Sequence, residues 1–204
     1  MLSKRLFSAA LVGIGAALSF TSASAAITFE FGTIVNGSPA GGPLYGRLTI
    51  TNAGTDTVSL VLENTATLPD ADGQSFHRIH LNVDPFIAGL VVTSADPHFV
   101  DFDCTQDGQN DAGSMFDLQI NFDIAPPADR FTPGDVVAMT ATAPGLTESH
   151  FNMLSAGTPR QAMIHIISIP PDGNSAKVTT PVPEPATFAA LGLGALALLR
   201  RRRK

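Results

Sequence analysis

Strict alternation of apolar and polar residues is the feature that most narrows what this chain can fold into. Residues 115–124 (MFDLQINFDI) put Phe116, Leu118, Ile120, Phe122 and Ile124 at every second position, with Asp117, Gln119, Asn121 and Asp123 between them. Successive side chains of a strand point to opposite faces, so this period of two predicts a strand with one dry and one wet face. Related runs occur at residues 27–31, 47–52, 57–63 and 78–84, with further candidates at 90–93, 98–104, 136–142, 162–169 and 176–180. Turn formers separate them, among them Asn36-Gly37, Asp72-Gly73, Asp107-Gly108, Pro133-Gly134, Pro144-Gly145 and Pro171-Asp172-Gly173. Only residues 147–156 suggest a short helix. About ten strands at short spacing predict an all-β chain, an antiparallel β-sandwich of jelly-roll-like type. No internal repeat and no long linker call for a second domain in this stretch.

The two ends do not alternate. Lys4 and Arg5 precede an apolar run at residues 6–20, and Ala23-Ser24-Ala25 then satisfies the small-residue rule for cleavage before Ala26. These three parts make residues 1–25 a secretory signal peptide whose helix is removed on export through the Sec machinery. At the other end Val182-Pro183-Glu184-Pro185 leads into residues 186–199 (ATFAALGLGALALL), fourteen residues without a charge, and then Arg200, Arg201, Arg202, Arg203 and Lys204. As a helix that run is about 21 Å long, short of the roughly 30 Å hydrocarbon layer but able to span with snorkelling arginines. The basic cluster stays cytoplasmic, and the prolines hold an extended peptide just outside the membrane. The expected organisation is a signal peptide at 1–25, a β-sandwich at 26–181 and a hydrophobic tail at 182–204.

The order of these tail elements resembles the sorting tail of PEP-CTERM proteins. That resemblance implies recognition of Pro183-Glu184-Pro185 by an exosortase, an integral-membrane Cys protease or transpeptidase, in a Gram-negative cell that makes exopolysaccharide. It implies a transient inner-membrane anchor, then display at or release from the cell surface. The expected role is structural or adhesive within an exopolysaccharide matrix or biofilm. The catalytic residues of processing would belong to the exosortase.

Charge and chemistry constrain the middle. Between residues 27 and 182 only Arg47, Arg78, Arg130, Arg160 and Lys177 stand against 17 acids, a net charge of −12 that repels phosphate backbones and excludes nucleic acid as a partner. Asp103, Asp107 and Asp111 fall at positions 1, 5 and 9 of an EF-type calcium loop with Gly108 at 6, but Ser114 stands where the bidentate Glu belongs. A wet hairpin turning at Asp107-Gly108 explains the same residues more simply. On a regular strand His77 and His80 point to opposite faces and cannot share a metal ion. Cys104 is the sole thiol and lies among acids that disfavour its thiolate, so a structural thiol is the first reading and an intermolecular link the second. Without Trp and with Tyr45 as the only Tyr, the chain lacks the usual platforms for stacking sugars. No nucleophile, zinc or phosphate-loop motif occurs, and the expectation is a protein without catalytic residues or a required cofactor. A calcium-dependent glycan-binding module is the alternative, and a secreted hydrolase a weaker one.

Overall fold

A computed structural model describes residues 26–67 and 73–181. The strands are β1 Ile27–Phe31, β2 Thr33–Asn36, β3 Gly46–Gly54, β4 Thr57–Asn64, β5 Ser75–Leu81, β6 Val91–Thr93, β7 Phe99–Asp111, β8 Ser114–Phe122, β9 Val136–Thr142, β10 Ala156–Gly157, β11 Ala162–Ile169 and β12 Asn174–Thr179. Short 3-10 turns at Pro127–Asp129 and Glu148–Phe151 are the helical elements among the described residues. One sheet has the order β1-β3-β4-β9-β6. The other runs β8-β5-β11-β12-β2, with β7 along the outer side of β8 and the two residues of β10 paired to its beginning. Every pairing is antiparallel.

The alternation works as expected in the smaller sheet. In β4, Val58, Leu60 and Leu62 are fully buried while Thr57, Ser59 and Glu63 keep partial access to water. Register carries that inward face across the sheet: Leu48 and Val137 flank Leu62, and Ile50 and Met139 flank Leu60. The larger sheet answers with Ile120, Ile79, Ile164 and Val178 in one cross-strand row. Both sets belong to a single buried cluster, so two sheets pack face to face around one core. Phe131 closes one end of it. Its ring meets Phe76 and Phe122 edge-on at centroid distances of 5.2 and 5.0 Å. Its carbonyl accepts hydrogen bonds from the Phe76 N–H and the Asn64 side-chain amide, tying its loop to both sheets.

The chain departs from the expected pattern in three places. Strand β7 does not turn at Asp107-Gly108. It bulges there, with five steps between Cys104 and Gln109 set against two between Phe116 and Leu118, and runs on to Asp111. The hairpin turns instead at Ala112-Gly113, both at positive φ (48° and 81°), the backbone that matches strand twist in a two-residue hairpin. The apolar row of β8 is also broken. Leu118, Ile120 and Phe122 enter the core, whereas Phe116 is buried outside it, stacked on His80. Finally, Ile124 lies beyond the strand and is exposed.

The ends of the sandwich lie close together. Thr28, Phe29 and Glu30 of β1 line one surface cavity with Gln161, Thr180 and Pro181. The signal helix expected at 1–25 and the hydrophobic helix expected at 182–204 fall outside the described residues. Among the described residues no helix is long and apolar enough to cross a membrane.

Candidate functional site

The outer face of the larger sheet gathers most of the chain's unusual polar chemistry. Antiparallel register sets Asp101, Asn121, Arg78, His165 and Lys177 in one row across β7, β8, β5, β11 and β12. The neighbouring row holds Asp103, Gln119, His80, Met163 and Thr179. A β-bulge in β5 changes which side chains join them. His165 pairs with Arg78 but Ile166 with Phe76, so His77 is the extra residue and lies on the same face as Arg78. Its ring is 5.3 Å from that of His165. Simple alternation places His77 and His80 on opposite faces; the bulge overturns that argument, and it also lets Phe76 and Ile79 both enter the core.

A hydrogen-bond chain links the two rows. Asn121 donates to Asp101 at 2.6 Å, Gln119 donates to Asn121 at 2.9 Å, and the Gln119 carbonyl accepts from His80 Nε2 at 2.9 Å and from Arg78 at 3.5 Å. Arg78 Nε donates to His165 Nδ1 at 3.3 Å. Burial, reinforced by the charge of Arg78, depresses His165 to about 4, so its ring is neutral at neutral pH with the proton on Nε2. Burial with a smaller Arg78 contribution also lowers His77.

The tip of the β7–β8 hairpin folds over the second row. Asp111 is nearly buried and pairs with Lys177, while Arg160 donates to the Ala112 carbonyl and to the Ser114 hydroxyl. Beneath it His80, Phe116 and Met163 are sealed from water. Burial drives His80 down to about 4; the Gln119 bond pulls it up, and Arg78, His165 and Lys177 push it down further. The Asp111 carboxylate lies 3.7 Å from His80 Nδ1, beyond hydrogen-bond distance, and pairs with Lys177 instead. A histidine kept neutral by the fold has a defined effect on stability. Below the ordinary value of 6.5 the unfolded chain takes up a proton that the native chain refuses, so stability is full above that pH and falls as pH drops towards 4. Urea unfolding at pH 7 and pH 4.5 is expected to show an acid-induced loss on the order of 2–3 kcal/mol smaller in His80→Gln than in the wild type. An identical pH slope in both proteins contradicts it.

The remaining expected residues have structural placements. Asp103, Asp107 and Asp111 are not brought together: Asp103 accepts from Thr105, the Asp107 N–H donates to Asp117, and Asp111 is held by Lys177. Among the described residues no group of three or more His, Cys, Asp or Glu side chains is placed to hold a metal ion. Cys104 packs half-buried against the core, and burial, then Asp117 and Asp103, raises its thiol to about 11. His98 bridges Asp96 at 2.7 Å and Asp135 at 3.6 Å, and His150 accepts from Thr147 at the start of a 3-10 turn. Tyr45 is buried, its hydroxyl on the Pro39 carbonyl. A polar cavity lined by Asn82, Asp84, Gln106, Asp107, Asp117 and Ser155 lies between β10 and the end of β5. Its most buried groups are already used: Asn82 donates to the Met153, Arg160 and Gln161 carbonyls, and Asp117 accepts from the Val83 and Asp107 N–H groups.

Sequence reasoning does not single out Arg78, His165, Gln119 and Asn121. Their grouping arises from register between strands up to 87 residues apart, which no local pattern encodes. Ala26 is exposed immediately before β1, whereas Ala23, Ala25, Val182, Pro183, Glu184, Pro185 and the basic cluster lie outside the described residues. Residues 181–204 match the family model of the PEP-CTERM protein-sorting motif. No curated protein and no solved structure matches the chain.

Proposed function

We propose that this chain, which carries a PEP-CTERM protein-sorting motif at residues 181–204 and is thereby an exported target of an exosortase, is a non-catalytic structural or adhesive component of an exopolysaccharide matrix. The sorting motif is the observation that carries the reading. Residues 1–25 act as the signal peptide, and the apolar run at 186–199 with its basic flank acts as a temporary inner-membrane anchor. Strand β1 begins one residue after the expected signal cleavage and β12 ends at Thr179, ahead of the motif, so both cuts fall outside paired strands. The exposed body is a jelly-roll-like sandwich, a reading supported by the chain's repeated passage between sheets, after β1, β2, β4, β5, β6, β8 and β9. The three carboxylates at EF-type spacing are spread among separate partners, which favours a body that works without a metal.

The test is the mass of the mature chain from cells with and without the exosortase. A chain beginning at Ala26 and lacking residues 186–204 is expected where the enzyme is present, and a membrane-bound chain with an intact tail where it is absent. A full tail on the surface protein of exosortase-positive cells contradicts the proposal. Its matrix role is checked separately by whether the exported body sediments with extracted polysaccharide.

A further inference from the structure

We infer that the Arg78 row on the outer face of the larger sheet is a binding site for the carboxylate of an acidic saccharide. This deepens the matrix reading and rests on it for the source of the ligand; the chemistry rests on the face itself.

Arg78 is the one described cation in this row without a carboxylate partner: Nε goes to His165, one Nη1 contact goes to Gln119, and Nη2 has no partner among the described residues. Arg130 and Arg160 also lack a carboxylate partner, but each is committed to a backbone carbonyl and a hydroxyl, Arg130 to Ile124 and Ser168 and Arg160 to Ala112 and Ser114. Asp101 of the row accepts from Asn121, and Asp111 at the hairpin tip is engaged by Lys177. These two contacts orient the guanidinium and leave Nη2 and the second Nη1 hydrogen to meet a planar carboxylate. Arg78 also lies close enough to Lys177, His77 and His165 that its charge lowers the proton affinity of all three. An arriving anion relieves that crowding of positive charge.

Three features select a carboxylate on a sugar. Lys177 is paired with Asp111 and the histidines are neutral, which leaves Arg78 as the cation of this row that can take a monoanion, while Asp101 and Asp103, held by neutral partners, keep the β7 edge negative. His165 Nε2–H has no partner among the described residues and stands ready to donate to an adjacent oxygen. The tilted rings of His77 and His165 supply flat apolar area beside the guanidinium, where the buried Tyr45 cannot serve.

The experiment is affinity electrophoresis of the full-length protein in detergent through gels containing polygalacturonate, fully methyl-esterified polygalacturonate, dextran sulfate or neutral dextran. Retardation is expected with polygalacturonate and not with its methyl ester or neutral dextran, since esterification removes the charge and little else. Arg78→Gln is expected to weaken retention at least about tenfold, Arg78→Lys to restore part of it, and Arg47→Gln on the other sheet to leave it unchanged. Equal retention of wild type and Arg78→Gln, equal retention by the ester, or retention by dextran sulfate alone overturns the site. The ester comparison uses the wild type and stands even if Arg78→Gln fails to fold. An Arg78→Gln body that still sediments with matrix in cells overturns this site while leaving the matrix role intact; a wild-type body that never sediments with matrix removes that role while a positive gel keeps the site.

Discussion

Phe131→Ala is expected to lower the unfolding free energy by about 3–5 kcal/mol, a large fraction of what holds a domain of this size together. The ring is fully buried and edge-packed on Phe76 and Phe122, one ring from each side of the loop's contact with the larger sheet. Removing it empties space that the surrounding strands cannot fill, because the Phe131 backbone is fixed by the Phe76 N–H and Asn64 amide and holds the loop in place. Phe131→Leu keeps more of the volume and is expected to cost less than half as much. Urea unfolding followed by near-ultraviolet circular dichroism measures both. A Phe131→Ala protein within about 1 kcal/mol of the wild type would show that this end of the core is loosely packed.

Asp117→Ala is expected to cost about 2–4 kcal/mol by a different route. Asp117 is an acid within an apolar run, yet it is almost buried because each carboxylate oxygen has its own backbone donor: Val83 N–H at 2.9 Å and Asp107 N–H at 2.8 Å. The first fixes the chain where it leaves β5; the second fixes the bulge of β7. Hydrogen bonds to a charged acceptor are stronger than neutral ones, and their loss strands two donors. Asp117→Asn tests the account sharply. The amide supplies one acceptor and turns an NH2 toward the second donor, so it is expected to lose most of the stability that Asp117→Ala loses. Full stability in Asp117→Asn would mean that neither bond depends on the charge.

The strands are largely legible in the sequence because one buried face imposes a period of two. β1, β9 and β11 fall on the expected residues 27–31, 136–142 and 162–169, and β4 extends the expected run by one residue. β2 and β10 escape the pattern: β2 is a short edge strand whose Ile34 is exposed, and β10 is two residues long, so neither carries an alternation. The displaced hairpin turn has a clear cause. Asp107-Gly108 and Ala112-Gly113 can both reverse a chain, and the choice falls to Asp117 and Lys177, which hold the bulge and the tip. The shift of β5 from the expected 78–84 to Ser75–Leu81 reflects the bulge at His77 and the departure of Asn82 to bind the 153–161 segment. The sorting motif needs no fold to be read, since its residues are contiguous. The Arg78 row cannot be read at all until register is known.

The shared cavity of β1 and Pro181 bears on how the molecule would hang from its hook. Chain entry and chain exit line the same cavity, so under the proposed anchoring leader and tail would draw the body toward the bilayer by one end. On the proposed anchoring, the end where β11 turns into β12 would then point away from the membrane before release. Two scissions confined to one pole would leave the distal loops and the broad strand surfaces unscarred, so the detached particle would present the same exterior that it carried while moored.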